Sequence, residues 1–247
     1  MTQATNNTSH WDEGDSQTFI DYGHYFVPDR EIQTDIICSL IPATSKQHHI
    51  LDLCCGEGVL TRTLLEHFPT YRVHGYDGSP AMLERAKSLL AGYGERFETH
   101  LFELADSDWR TLPWPVHAVV SSLAIHHLNA DQKQELFRDI RQMLAPGGIF
   151  ILADCIQPIT ELGLELAARM YDETIHERSL QLSGNLQAYE HFLAVGWNTF
   201  ADPEPDPLDK LSPLFNQLKW LEQAGFADVD VFWVKAGHAI FGGRRAV

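Results

Sequence analysis

Basic residues are scarce in this chain. Eighteen Lys and Arg stand against 34 Asp and Glu, a formal charge of −16, and no basic cluster is longer than Arg244–Arg245. An acidic surface repels phosphate backbones, which disfavours nucleic acid as a partner. Long apolar runs are missing too: none approaches the length that spans a bilayer, so no membrane association is expected. The leading stretch MTQATNNTSHWDEGDSQ has neither the basic start nor the apolar core of a secretory signal, and a cytoplasmic location is the expectation. Cysteines number four, Cys38, Cys54, Cys55 and Cys155. None forms a C-x-x-C pair or has histidines at zinc-finger spacing, so thiols are expected and a metal is not.

What is present is an alternating pattern in a chain of 247 residues, 44% of them hydrophobic. That length holds one large α/β domain. Residues 1–18 read as a loose tail and 19–45 as a helical segment, with Ile32, Ile36, Ile37, Leu40 and Ile41 at helical spacing. The run 48–55 reads as a strand ending in a Gly turn, followed by helix signals from Val59 to Phe68. Further strands fit 71–77, 97–104, 117–124 and the run after APGG, with helices over Ser79–Leu90 and 130–144 between them. Strands alternating with crossover helices imply a parallel sheet covered on both faces. The pattern breaks at 156–207, read as a helical insertion over the sheet's ligand edge that includes the stiff loop ADPEPDP. A last helix, PLFNQLKWLEQAG, then precedes apolar runs at 229–234 and 238–241 that fit a hairpin.

The stretch ILDLCCGEGVL, residues 50–60, carries the first chemical signal. Ligands of open parallel sheets bind beyond the carboxyl ends of the strands. Gly56 and Gly58 bare the backbone there, and the following helix aims free N–H groups at the same space. Asp77 ends the next strand, 19 residues after Gly58; a carboxylate so placed accepts both hydroxyls of a ribose. A dinucleotide fits poorly. The third small residue of its fingerprint is replaced by Thr61, and Glu57 sets a carboxylate where a diphosphate would lie.

These motifs resemble those of class I S-adenosylmethionine-dependent methyltransferases. ILDLCCGEG is similar to the family's first motif and VHGYDGSPAMLERAK to its second. VVSSLAIHHL is similar to the fourth-strand motif, MLAPGGIFILAD to the turn and strand that follow, and WLEQAGFADVDVFW to the closing helix and hairpin. The resemblance implies a Rossmann-like, seven-stranded, mostly parallel sheet with helices on both faces, an antiparallel C-terminal β-hairpin and a helical lid insertion. By position it implies that Asp52, Cys54, Gly56 and Gly58 surround the methionine portion of S-adenosylmethionine. Asp77, beside Gly78, would hold the ribose diol, and Met82 would pack on adenine. Glu103 with the Leu104 backbone would meet the adenine amino group, with Asp106 the alternative, because ELAD aligns in two ways. Ser121 would lie near the cofactor, and Tyr25 would close over its methionine end. Cys54 departs from the family's glycine, which questions how the turn accommodates a side chain.

Methyl transfer from a sulfonium draws much of its acceleration from alignment, and a base is needed only when the acceptor must lose a proton. Candidate bases are His126, His127, Asp154, Tyr22, His24 and Tyr25, with His176, His191 and His238 able to join through the lid or hairpin. No catalytic residue is assigned among them. In the insertion, Tyr171, Tyr189, Phe192, Trp197 and Phe200 either line an acceptor pocket or pack the lid down. The expected partner is a small-molecule acceptor, and a homodimer is compatible with the sequence. Two rival readings stand beside methyl transfer: a tRNA wobble-uridine modifying enzyme of the same fold, with Arg30 reaching a carboxylated cofactor, and a cofactor-binding protein without catalysis.

Overall fold

The computed structural model describes Trp11, residues 13–202 and residues 206–247. The first ten residues of the expected tail, and part of the ADPEPDP loop, lie outside the described residues. Seven strands form one sheet: β1 (His49–Leu53), β2 (Arg72–Asp77), β3 (Phe97–Leu101), β4 (Val116–Ser122), β5 (Leu144–Cys155), β6 (Ala227–Lys235) and β7 (His238–Arg244). Their order is β3-β2-β1-β4-β5-β7-β6. The pairs among β1 to β5 are parallel, and β7 runs antiparallel to both β5 and β6. Strand order reverses between β1 and β4, which is where an open sheet opens a crevice.

Both faces are covered, as the continuous apolar strands require. One face packs Leu51, Val119, Phe150 and Phe241 against Leu136, Phe137 and Ile140 of α5 (Ala130–Met143) and Leu221 of α8 (Leu214–Gln223). The other packs Ile50, Val73, Ala118 and Ile151 against Ile37 of α2 (Arg30–Leu40) and Leu60, Leu64 and Leu65 of α3 (Val59–His67). Helix α5 starts on a capping box in which Asn129 and Gln132 bond each other's backbone N–H, satisfying two otherwise orphaned donors. Helix α4 (Pro80–Leu89) starts at Ser79, whose hydroxyl accepts from Met82 N.

Three differences from the sequence reading are local. The supposed tail turns helical at Glu13: α1 (Glu13–Phe26) absorbs residues 13–18, because its acidic first turn suits a helix N-terminus. Strand β3 stops at Leu101, so Glu103 and Leu104 lie in the loop beyond it rather than on the strand. The insertion becomes α6 (Glu161–Ser183) and α7 (Gln187–Ala194). Together with α1 these helices enclose a third core of Phe26, Tyr171, Ile175, Phe192 and Phe200. Cys155 at the end of β5 and Ala236 in the β6–β7 turn belong to the same core, so this cap sits at the carboxyl edge of the sheet.

Candidate active site

The Gly turn is held by its neighbour strand. Asp77 Oδ2 accepts from Gly56 N at 2.8 Å and Oδ1 accepts from Ser79 N at 2.9 Å, while Cys55 N donates to Tyr76 O at 3.0 Å. Gly56 (φ 55°) and Gly58 (φ 86°) are left-handed, and so is Cys54 at φ 55°. The side chain that replaces the family's glycine therefore keeps glycine's backbone conformation. A Cβ on Gly58 would stand 2.9 Å from Leu90 Cδ1 and 3.3 Å from Ala86 Cβ, so a side chain there would also crowd α4. Cys55 points the other way and fills the space left by Gly75.

Beneath the turn Asp52 is buried, and Thr61 donates its hydroxyl to Asp52 Oδ2 at 2.6 Å. Burial pushes the Asp52 carboxyl up to about 7, against the Thr61 hydrogen bond. Thr61, which spoils a dinucleotide fingerprint, thus has a task of its own here. Burial also raises Asp77 above its ordinary value despite its backbone hydrogen bonds, and the charge of Glu13 on α1 adds to the rise. Helix α1 accordingly lies near enough to Asp77 for Glu13 to act on it.

A cleft in front of the turn is lined by Phe19, Arg30, Gln33, Asp52, Cys54 and Glu57, among others. Arg30 stacks its guanidinium over the Phe19 ring at 5.6 Å and, among the described residues, makes no hydrogen bond or ion pair. Tyr25 does not line this cleft; it packs with the cap, and its carbonyl accepts from Arg178 Nε. Ser121 does not line the cleft either. It is fully buried and donates to Leu53 O at 2.8 Å, while the next residue, Ser122, lines the cleft, as strand alternation requires. Met82 is buried with its sulfur close to Gly56. Gly78 is crowded by Phe102 O, Leu104 is buried and Glu103 is exposed. The charge of Glu103 reaches Cys54.

Beside the turn the structure assembles a second constellation. His126 Nδ1 donates to Asp154 Oδ1 at 2.5 Å, and His126 N donates to Asp154 Oδ2 at 2.9 Å. On the other side of the ring, His126 Nε2 faces Asp209 Oδ1 at 3.5 Å. Burial opposes a charge on His126, but the Asp154 carboxylate overcomes it and lifts the imidazole above its usual value. Asp154 is held below the ordinary carboxylate range: burial pushes it up, and the charge and hydrogen bond of His126 outweigh that push. Burial drives the adjacent His127 down to about 3 and His238 down to about 4. Of the nine sequence candidates, then, His126 and Asp154 form the one directly bonded dyad. His176 and His191 are drawn into ring contacts with Tyr189 and Tyr22 instead. Asp209 and Lys133 escaped the sequence reading. Lys133, buried, donates to Lys210 O and Ser212 Oγ, which secures the segment carrying Asp209, and no local pattern ties that segment to His126.

The geometry has counterparts. Residues 50–148 match a family model described as a methyltransferase domain. Trans-aconitate 2-methyltransferase of Streptomyces coelicolor is 34% identical over 123 residues, 48% of this chain and 38% of that protein. Carboxy-S-adenosyl-L-methionine synthase of Pseudomonas putida is 29% identical over 126 residues, 49% of this chain and 51% of that protein. The matched segments thus span about half of these curated relatives or less. An O-methyltransferase family protein from Burkholderia thailandensis shares the fold, with a TM-score of 0.64 at 15% identity, over 95% of this chain and 60% of that one. Residues 50–148 thus match a methyltransferase domain, and the fold around them is similar to that of solved methyltransferases.

Proposed function

We propose that the chain transfers a methyl group from S-adenosylmethionine to a small-molecule acceptor by in-line displacement. The observation that carries this reading is the latch between Asp77 and Gly56, 2.8 Å long. Each carboxylate oxygen offers two acceptor sites, so Asp77 can bond the backbone and a ribose diol together. That pins the nucleoside to the same turn that receives the methionine end. Asp52 and Met82, with Glu103 at the rim, complete the surroundings of the cofactor. Alignment of sulfonium and acceptor then supplies the greater part of the acceleration, on the order of 7–11 kcal/mol for well-oriented pairs. The Asp154–His126 dyad is the group able to take a proton from an acceptor that must lose one. The formal charge of −16 supports a small acceptor over RNA.

Arg30 favours a second reading. Its guanidinium lines the cleft with no hydrogen bond or ion pair among the described residues, and Glu57 and Glu31 act on it only as more distant carboxylate charges. Such a group suits a ligand that carries a carboxylate. The methionine carboxylate meets that need, and so does the extra carboxylate of a carboxylated cofactor. Calorimetric titration with S-adenosylmethionine, its demethylated product and the carboxylated derivative separates the two. Methyl transfer predicts that S-adenosylmethionine binds at least as tightly as the carboxylated form. Asp77→Ala is expected to lose at least tenfold in affinity with the fold intact, and unchanged affinity would refute the latch. His126→Asn should keep that affinity and lower turnover in a labelled-methyl screen of metabolites. Tighter binding of the carboxylated form would overturn the first reading in favour of the second.

A further inference from the structure

A different part of the sheet gathers histidines. Register pairs His74 of β2 with Glu98 of β3, and Tyr76 with His100. Residues two apart share a face, so His74, Glu98 and His100 project together from the β2–β3 edge. His49 joins them from β1, placing its Nδ1 2.8 Å from His74 Nε2. None of these residues belongs to the cleft or to the dyad.

The cluster holds two nitrogens without partners. His74 is 3% exposed, and its Nδ1 makes no hydrogen bond. His100 Nε2 is likewise buried and unbonded. An orphaned buried polar atom costs about 1–3 kcal/mol, so two of them facing one carboxylate call for a reason. Their spacing supplies it. Glu98 Oε2 lies 3.5 Å from His74 Nδ1 and 3.9 Å from His100 Nε2, and the three atoms lie within 4.8 Å of one another. These separations are too long for good hydrogen bonds. The shorter one is within about 0.2 Å of the edge of a tetrahedron around a zinc-sized ion, roughly 3.3 Å for metal–ligand bonds of about 2.0–2.2 Å, and the longer exceeds that edge by about 0.6 Å, a gap that a small turn of the half-exposed Glu98 side chain closes.

We propose that His74 Nδ1, His100 Nε2 and Glu98 Oε2 form a binding site for a divalent transition ion of the zinc class, with water as fourth ligand. Two imidazoles and a carboxylate suit such an ion better than magnesium or calcium, which prefer all-oxygen sets. When His74 donates its Nε2–H to His49 Nδ1, the Nδ1 lone pair is free for the metal. That bond is also the outer hydrogen bond that metal-bound imidazoles keep. Trp114 stacks on His74 at 4.1 Å and on His49 at 4.4 Å, and Tyr76 stacks on His100 at 4.4 Å, so the rings are held before an ion arrives. Arg72, whose charge reaches His49 and His74, is turned to Glu95 at 3.6 Å. A bound ion would cross-link the edge strand β3 to β2, three residues before Asp77.

The full chain, stripped with chelator, should be titrated calorimetrically with Zn2+ and spectroscopically with Co2+, alongside Glu98→Gln, His100→Ala and Asp209→Asn. The last variant controls for a second grouping, His126, His127 and Asp209. One equivalent should bind to the wild type and to Asp209→Asn. Both strand variants should bind at least tenfold more weakly while keeping the wild-type circular dichroism. The absence of a stoichiometric equivalent, its survival undiminished in both strand variants, or its loss in Asp209→Asn alone would overturn the proposal.

Discussion

A left-handed backbone is a costly place for a side chain, and Cys54 occupies one at φ 55° between β1 and the Gly turn. The cost of such a conformation is about 1–2 kcal/mol for a residue with a Cβ. Cysteine bears it because it is small and because its half-buried sulfur packs on the core that includes Leu51 and Leu53. A β-branched residue has no such latitude. Cys54→Val should therefore lower the unfolding free energy by about 2 kcal/mol in urea denaturation. Cys54→Gly should stay within about 1 kcal/mol of the wild type, since relief of strain offsets lost packing and the extra freedom of the unfolded chain. Equal stability for Val and Gly would contradict this account of the turn. The neighbouring Cys55 has no part in it, and burial raises both thiols well above their usual values, which keeps them from acting as a redox pair.

At the scale of elements, the cap is fastened through a helix end. The carbonyls of His24, Tyr25 and Phe26 close α1, and α6 supplies their donors: Arg178 Nη2 to His24 O at 2.7 Å, Arg178 Nε to Tyr25 O at 3.2 Å and Tyr171 Oη to Phe26 O at 2.9 Å. The same guanidinium reaches Glu31 of α2 at 3.0 Å. One side chain thus ties three helices. Arg178→Met should cost about 2–3 kcal/mol, because it strips buried acceptors of their donor, and should speed hydrogen exchange in α1. Arg178→Lys should recover less than half of the loss, an ammonium being unable to serve that fork. If α1 exchanges at the wild-type rate in Arg178→Met, the fastening lies elsewhere.

The same elements explain what could be read in advance. Strands and crossover helices from β1 to α5 were legible because period and punctuation coincide there, as in Ser79-Pro80 at the start of α4 and the Gly turn before α3. Legible, too, was the placement of Asp77 at a strand end beside the Gly turn, which depends only on one strand and the next. Ser121, expected near the cofactor, turns its hydroxyl to Leu53 O, while Ser122, one pleat on, lines the cleft, a difference that period-2 geometry makes between adjacent residues. Asp209 and Arg178 were invisible because their partners lie far along the chain, and no local pattern records a tertiary contact. Of the lid aromatics, Tyr171, Phe192 and Phe200 are buried in the cap's own core, which favours the packing role over the lining of a pocket.

Over the whole molecule, buried histidines make stability depend on pH. Burial holds His74 and His127 down to about 3 and His238 down to about 4, so between pH 4 and 6.5 these bind protons in the unfolded chain and not in the folded one. That gives a stability that falls with falling pH. Asp52, pushed up to about 7, acts in the opposite sense, because it holds a proton in the fold that the unfolded chain releases. The raised values of Asp77 and His126 work in the same direction as Asp52. With the histidines in the majority, stability should drop by about 2 kcal/mol per pH unit on acidification from 6 to 5. Urea titrations in the presence of chelator would measure it, and a flat or rising stability would contradict the assignment of neutral histidines.

The placement of α1 has a kinetic consequence. Its first turn brings Glu13 within electrostatic reach of Asp77, and Phe19, further along the same helix, forms part of the cleft wall. A nucleoside approaching that carboxylate has to move past this helix, and a spent one leaves by the same route. On the proposed reading, nucleoside association is therefore expected to depend on movement of α1 and to fall below the usual 10⁵–10⁷ M⁻¹s⁻¹. On the proposed reaction, turnover would inherit that gate, and release of the used ligand is expected to be slower than the breaking of a carbon–sulfur bond.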